Sequence, residues 1–129
     1  MNKFGMISAC LLGITGIAIG AFAAHGLKSL ITVENLATFE TGVRYQMYHT
    51  LFLLGVGQFK FLTSKQHTVI TTLTLVGVLF FSGSIYGLAT NTLFDFDFKS
   101  IGFITPIGGL LLILSWCVLL FSILKWKRN

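Results

Sequence analysis

Charged residues are scarce in this sequence. Asp, Glu, Lys and Arg make up 10% of the 129 residues, whereas an average soluble domain has about a quarter. Hydrophobic residues make up 54% of the chain, and a globule of this size has too little interior to hide that much apolar surface from water. The composition excludes an ordinary soluble domain and predicts a protein surrounded by membrane lipids.

Acidic residues are the rarest charged residues, and the net charge is +5. A basic balance can indicate a nucleic-acid partner. Here, however, the Lys and Arg residues separate apolar runs instead of gathering on one face with aromatic residues between them. We therefore predict no nucleic-acid partner.

Cysteine is also scarce, and the pattern around it predicts neither a metal site nor a catalytic site. Cys10 and Cys117 lack metal-ligand spacing and the density of a disulfide scaffold, so we interpret them as free thiols in the core. His25 is expected near the surface and His49 much deeper, which argues against a shared iron, and we predict no cofactor. No serine has an evident base beside it, so we predict no catalytic residues.

Long uncharged runs occupy most of the chain. Residues 4–24, 68–90 and 101–124 are each long enough to cross a hydrocarbon layer of about 30 Å as a helix. Residues 41–60 begin with polar side chains, but Arg44 lies one turn from the end of the run and can snorkel to the headgroups. The sequence therefore predicts an all-α, single-domain integral membrane protein with four transmembrane helices.

Two segments beside the first helix allow more than one interpretation. Residues 21–23 resemble a signal-peptidase site, but the preceding apolar run exceeds the usual length of about 7 to 15 residues, so we expect the helix to be retained. Residues 27–40 mix apolar and polar side chains. They predict either a short interfacial helix or an outward extension of the second helix with Thr32 as its N-cap.

The positions of the basic residues predict the orientation. With four spans, one end of the bundle holds six of the nine Lys and Arg residues: Lys3, Lys60, Lys65, Lys125, Lys127 and Arg128. The other end holds the remaining three and all four acids. Because cytoplasmic loops are enriched in Lys and Arg, we predict that both termini are cytoplasmic.

Small residues recur at helical spacing and predict close helix packing. They are Gly13, Gly16 and Gly20 in the first span, Gly83 in the third, and Gly108 and Gly109 in the fourth. Short spans with such a stripe often associate, so we also predict a homo-oligomer or a partner within a larger membrane complex.

Polar side chains of different spans fall at similar depths in the outer half of the bilayer, with His49 about 12 Å below Thr41. The candidate layer consists of His25, Arg44, Tyr45, Tyr48, His49, Ser82, Ser84, Tyr86 and Thr105. In one interpretation the layer binds a small polar ligand or a lipid headgroup. In the other, these side chains only satisfy one another and lock the packing of a structural or accessory subunit.

Four sequence segments carry a family resemblance that covers nearly the whole chain. They are residues 20–27 (GAFAAHGL), 39–49 (FETGVRYQMYH), 81–86 (FSGSIY) and 105–109 (TPIGG), followed by Trp116. The chain resembles the YgdD/YwdK family of small bacterial membrane proteins, which has mitochondrial relatives. Ala23 and Ser115 stand where that family usually or often has glycine. The resemblance implies four transmembrane helices and a plasma-membrane location, and it implies no particular activity.

Overall fold

The computed structural model describes residues 2–128, and four long helices dominate it. They are α1 (Lys3–His25), α2 (Val33–Val56), α3 (Ser64–Ala89) and α4 (Ile104–Lys125). Three short 3₁₀ segments lie in the connections, at Leu27–Ser29, Asn91–Leu93 and Phe98–Ile101. No strand occurs between residues 2 and 128, so the predicted all-α class is confirmed.

The second helix begins eight residues before the predicted boundary at residue 41. The Thr32 hydroxyl accepts a hydrogen bond from the Asn35 amide at 3.1 Å, which satisfies one of the free amides of the first turn. The outward extension capped by Thr32 is therefore the correct one of the two alternatives. At its other end, α2 stops at Val56, and residues 57–63 form the turn to α3.

Three of the helices are long and apolar enough to cross a membrane by length and composition: α1, α3, and α4 together with the preceding 3₁₀ turn. Their outward faces carry large hydrophobic side chains, such as Ile14, Ile17 and Leu79, which are about two-thirds exposed. Exposure of these apolar faces to water would cost free energy, whereas membrane lipid is itself apolar and can surround them. The more polar α2 buries one face, which includes Phe39, Gln46 and Leu53, and exposes the other.

Helices that are consecutive in the chain make most of the contacts between helices, which places α2 and α3 in the middle of the bundle. Helix α1 packs along α2 and reaches α3 only over a short stretch. Two apolar clusters hold the ends together. One includes Leu53, Ile70 and Leu119, and the other includes Leu27 and Phe39.

The small-residue stripe of α1 lies against α2 of the same chain. A Cβ atom at Gly16 would come 2.6 Å from the Met47 sulfur, and Cβ atoms at Gly13 and Gly20 would come within 3.2 to 3.3 Å of α2 side chains. The close approach of α1 and α2 therefore depends on these three glycines. Because α2 occupies the stripe, the stripe no longer supports a homo-oligomer.

The glycines of α3 and α4 differ in what surrounds them. A Cβ atom at Gly108 would collide with the backbone of Phe81, so α3 and α4 cross closely at this point. A Cβ atom at Gly109 would make ordinary contact with the Phe81 ring at 3.4 Å. At Gly83 the nearest side chain is Leu79 of the same helix, at 3.9 Å, so Gly83 faces a groove between α1 and α3 and packs against no other helix there.

Candidate binding cleft and polar network

Gln46 is the centre of a hydrogen-bond network that joins three helices. Its Nε2 group donates to the Leu12 carbonyl and to the Thr15 hydroxyl, both at 2.9 Å, and its Oε1 atom accepts from the Tyr86 hydroxyl at 2.7 Å. The side chain is 4% exposed, and its two N–H groups and its carbonyl oxygen all have partners. The network therefore fixes α1, α2 and α3 relative to one another.

Two further bonds from α3 serine side chains join neighbouring helices. The Ser82 hydroxyl donates to the Gly42 carbonyl at 2.7 Å, and the Ser84 hydroxyl pairs with the Thr105 hydroxyl at 2.5 Å. Ser82 is 1% exposed, and its bond replaces the water that a buried hydroxyl would otherwise need. These predicted layer residues act here in helix contact.

His49 pairs with Trp116 of α4. The Trp116 indole N–H can only donate, and it lies 3.1 Å from Nε2 of His49, so Nε2 is the accepting nitrogen. The proton of the neutral ring is then on Nδ1, which donates to the Tyr45 carbonyl at 2.7 Å. Both ring nitrogens are satisfied, and the imidazole is held in one tautomer.

A cleft of about 320 Å³ opens beside this pair, between α2 and α4. Its walls are mostly aromatic, and the Tyr45 and Phe81 rings lie 5.0 Å apart between centroids. Among the described residues that line it, Tyr45 alone carries a hydroxyl. The lining residues are Tyr45, His49, Phe81, Gly109, Leu112, Ile113 and Trp116.

His49 lies deeper along α2 than the depth of about 12 Å below Thr41 that the sequence predicted. With α2 running from Val33 to Val56, His49 lies about 10 Å from the helix end at Val56 and about 24 Å from the end at Val33. Trp116 is likewise close to the middle of α4. His49 therefore lies past the midpoint of α2, on the side of the Val56 end, and not in the outer half as predicted.

Three residues of the predicted layer do not join it. His25 is exposed at the end of α1. Arg44 and Tyr48 lie on the exposed side of α2, where the Arg44 guanidinium is 4.0 Å from the Glu40 carboxylate and both side chains are about half exposed. The layer thus divides into four parts: Tyr86 in the network around Gln46, the bonds of Ser82 and Ser84 to neighbouring helices, the cleft lined by Tyr45 and His49, and these three exposed residues.

The residues that the sequence analysis missed are Gln46 and Trp116. A signal for Gln46 exists, because Phe39, Gly42, Gln46, His49 and Leu53 recur at steps of three and four and are all buried on α2. That spacing places Gln46 on the same face as His49. Trp116 is among the residues that carry the family resemblance, but nothing in the spacing of α4 indicates that it pairs with a residue of α2.

Comparison with known proteins decides the family. A family model described as a protein of unknown function (DUF423) matches residues 19–109. The chain belongs to this family. A UPF0382 membrane protein from Haemophilus influenzae is 38% identical over 126 residues, which cover 98% of this chain and 97% of that protein.

Two further relatives match the names in the predicted family. The UPF0382 membrane protein YwdK of Bacillus subtilis is 34% identical, with 96% of this chain and 98% of that protein covered. The UPF0382 inner membrane protein YgdD of Escherichia coli is 30% identical, with 99% and 95% covered. The predicted resemblance is therefore confirmed, and this DUF423 member is a membrane protein. No solved structure matches the chain.

Proposed function

We propose that the chain crosses the plasma membrane four times and that both termini are cytoplasmic. The name of the Escherichia coli relative supports an inner-membrane location. The basic end of the bundle, defined by Lys3, Lys60, Lys65, Lys125, Lys127 and Arg128, supports the orientation through the known bias of cytoplasmic loops.

Single-cysteine labelling tests this topology. In a chain without Cys10 and Cys117, Thr92→Cys places an exposed thiol in the α3–α4 connection, and Gln58→Cys places one in the α2–α3 turn. A membrane-impermeant maleimide added to intact cells should label the Thr92→Cys protein and spare the Gln58→Cys protein until the cells are opened. Labelling of Gln58→Cys in intact cells would reverse the orientation.

We also propose that the protein binds a mostly apolar, membrane-dissolved molecule in the cleft between α2 and α4. The observation that carries this proposal is the shape and chemistry of the cleft: aromatic walls with the hydroxyl of Tyr45 as the available polar group. Both nitrogens of His49 are already paired, so a strongly polar or charged ligand would lose more hydration than the cleft returns. A flat or chain-like amphiphile with one hydrogen-bonding group fits these walls.

Filling the cleft tests this function. Gly109 lines the cleft, and the space around it admits a larger side chain toward the opening, so Gly109→Leu should occupy the site. Gly83→Leu is the matched control, because Gly83 also faces open space but lies in the separate groove between α1 and α3. Organic extracts of each protein, purified in mild detergent, are compared by mass spectrometry.

We expect the Gly109→Leu protein to lose a co-purifying molecule by about tenfold or more, which corresponds to about 1.4 kcal/mol of binding free energy. The Gly83→Leu protein should retain it. An equal loss from both proteins would indicate general loosening of the bundle, and equal retention by both would refute the cleft as the binding site.

A further inference from the structure

A second cavity lies at the basic end of the bundle, away from the cleft. It has a volume of about 220 Å³ and lies where the α2–α3 turn meets the beginning of α3 and the residue before α1. It is lined by Asn2, Phe59, Lys60, Leu62, Ser64 and His67. Polar groups predominate in this lining, in contrast to the aromatic walls of the cleft.

The charge around this cavity is of one sign. Lys60 lines it, and the other five cations of the basic end lie at the same end of the bundle, whereas Glu34, Glu40, Asp95 and Asp97 belong to the opposite end. No Asp or Glu side chain therefore competes for Lys60. A negatively charged group in the cavity is attracted by Lys60 and by the other cations at this end of the bundle.

The first turn of α3 adds hydrogen-bond donors. Thr63 and Gln66 form a capping box, in which the Thr63 amide donates to the Gln66 side chain at 2.8 Å and the Gln66 amide donates to the Thr63 hydroxyl at 3.1 Å. The capping box leaves the amide of Ser64, which lines the cavity, among the first-turn donors that an α-helix does not use itself. Together with the partial positive charge of the helix end, such amides favour phosphate groups.

His67 supplies an observation that is independent of the helix end. It is 6% exposed and forms part of the cavity lining, and its Nε2 group donates to the Phe59 carbonyl at 3.0 Å. Its Nδ1 atom has no hydrogen-bond partner, and among the described residues it is the one buried side-chain nitrogen or oxygen in that condition. Buried polar atoms without partners are rare in proteins, so an acceptor of this kind points to a donor brought by a bound molecule.

We propose that this cavity binds a phosphate group, supplied either by an anionic lipid headgroup or by a soluble phosphate ester. Lys60 and the Ser64 amide hold the phosphate oxygens. A hydroxyl of the same molecule, or a water bound to a phosphate oxygen, donates to Nδ1 of His67. The proposal concerns a different cavity from the cleft and does not depend on what the cleft binds.

Substitution of two lysines of equal charge distinguishes binding of phosphate in the cavity from general electrostatic attraction to this end of the bundle. Lys60 lines the cavity, whereas Lys65 is exposed one turn away and does not line it. Lys60→Gln and Lys65→Gln therefore lower the net charge equally. Binding of dioleoyl phosphatidylglycerol to the full chain in neutral detergent is measured by native mass spectrometry, and binding of glycerol 3-phosphate by phosphorus NMR.

We expect Lys60→Gln to weaken binding of at least one probe by about fivefold, or about 1 kcal/mol, and Lys65→Gln to change it by less than about twofold. If only the lipid shows this difference, the site serves headgroups. If glycerol 3-phosphate shows it as well, the site accepts soluble phosphates. Equal weakening by both substitutions, or binding of neither probe to the unaltered protein, would overturn the proposal.

Discussion

Helix α2 presents polar side chains to two sides of the bundle, and these side chains are enclosed on one side and border an open cleft on the other. On the side of α1, the Gln46 amide is enclosed and has three partners on two other helices. On the side of α4, Tyr45 and His49 border an open cleft, and the indole of their partner Trp116 is half exposed. One polar segment of the chain therefore joins three helices on one side and borders an open cleft on the other.

The largest loss of stability is expected from Gln46→Leu, on the enclosed side of α2. The substitution removes three hydrogen bonds and leaves the Tyr86 hydroxyl without its acceptor, so the free energy of unfolding should fall by about 1 to 3 kcal/mol. Thermal unfolding in detergent measures the change. Gln58→Leu is the control, because Gln58 is an exposed residue of the α2–α3 turn and should have little effect. Equal stability of the Gln46→Leu and Gln58→Leu proteins would contradict the role of Gln46 as the lock.

A smaller effect on stability is expected from His49→Ala, because His49 has one partner on another helix rather than three. The loss should be about 0.6 to 2 kcal/mol, as for other hydrogen bonds within membranes. In a Trp126→Phe background, Trp116 is the remaining tryptophan, and its emission should shift when its N–H loses the histidine. If the emission stays unchanged, the pair between His49 and Trp116 does not form in solution.

The smallest effect is expected from Arg44→Gln. The guanidinium is half exposed and 4.0 Å from Glu40 on the same helix, and exposed pairs of this kind contribute less than about 1 kcal/mol. The change should leave both the unfolding temperature and any molecule bound in the cleft unaltered. A loss of that molecule in the Arg44→Gln protein would place Arg44 in the binding site and would contradict its assignment to the exposed side of α2.

The long helices could be predicted from the sequence because length and hydropathy determine them directly. Three of the uncharged runs correspond to α1, α3 and α4 within a few residues. The start of α2 could not be fixed in advance, since residues 27–40 have the mixed composition of either an interfacial segment or an extended helix. Only the cap at Thr32 decides between them.

The division of the polar layer was beyond prediction for a different reason. Depth along a helix can be counted, but the rotation of each helix about its axis is set by packing. Gly16 allows α1 to approach α2 at the level of Gln46, and Gly108 brings α4 against α3 at Phe81. With this packing, Gln46 is buried and Arg44 is exposed, although the two residues are only two positions apart in the sequence.

The hydrogen bonds of Gln46 also bear on the order in which the chain is assembled during synthesis. The Nε2 group of Gln46 bonds to Thr15, 31 residues earlier, so this bond can form within the first helical hairpin. The Oε1 atom bonds to Tyr86, 40 residues later, so this bond needs α3. In a hairpin of α1 and α2 alone, that oxygen would have no partner within the chain. The network is therefore complete only when α3 has packed against the hairpin, and it does not require α4.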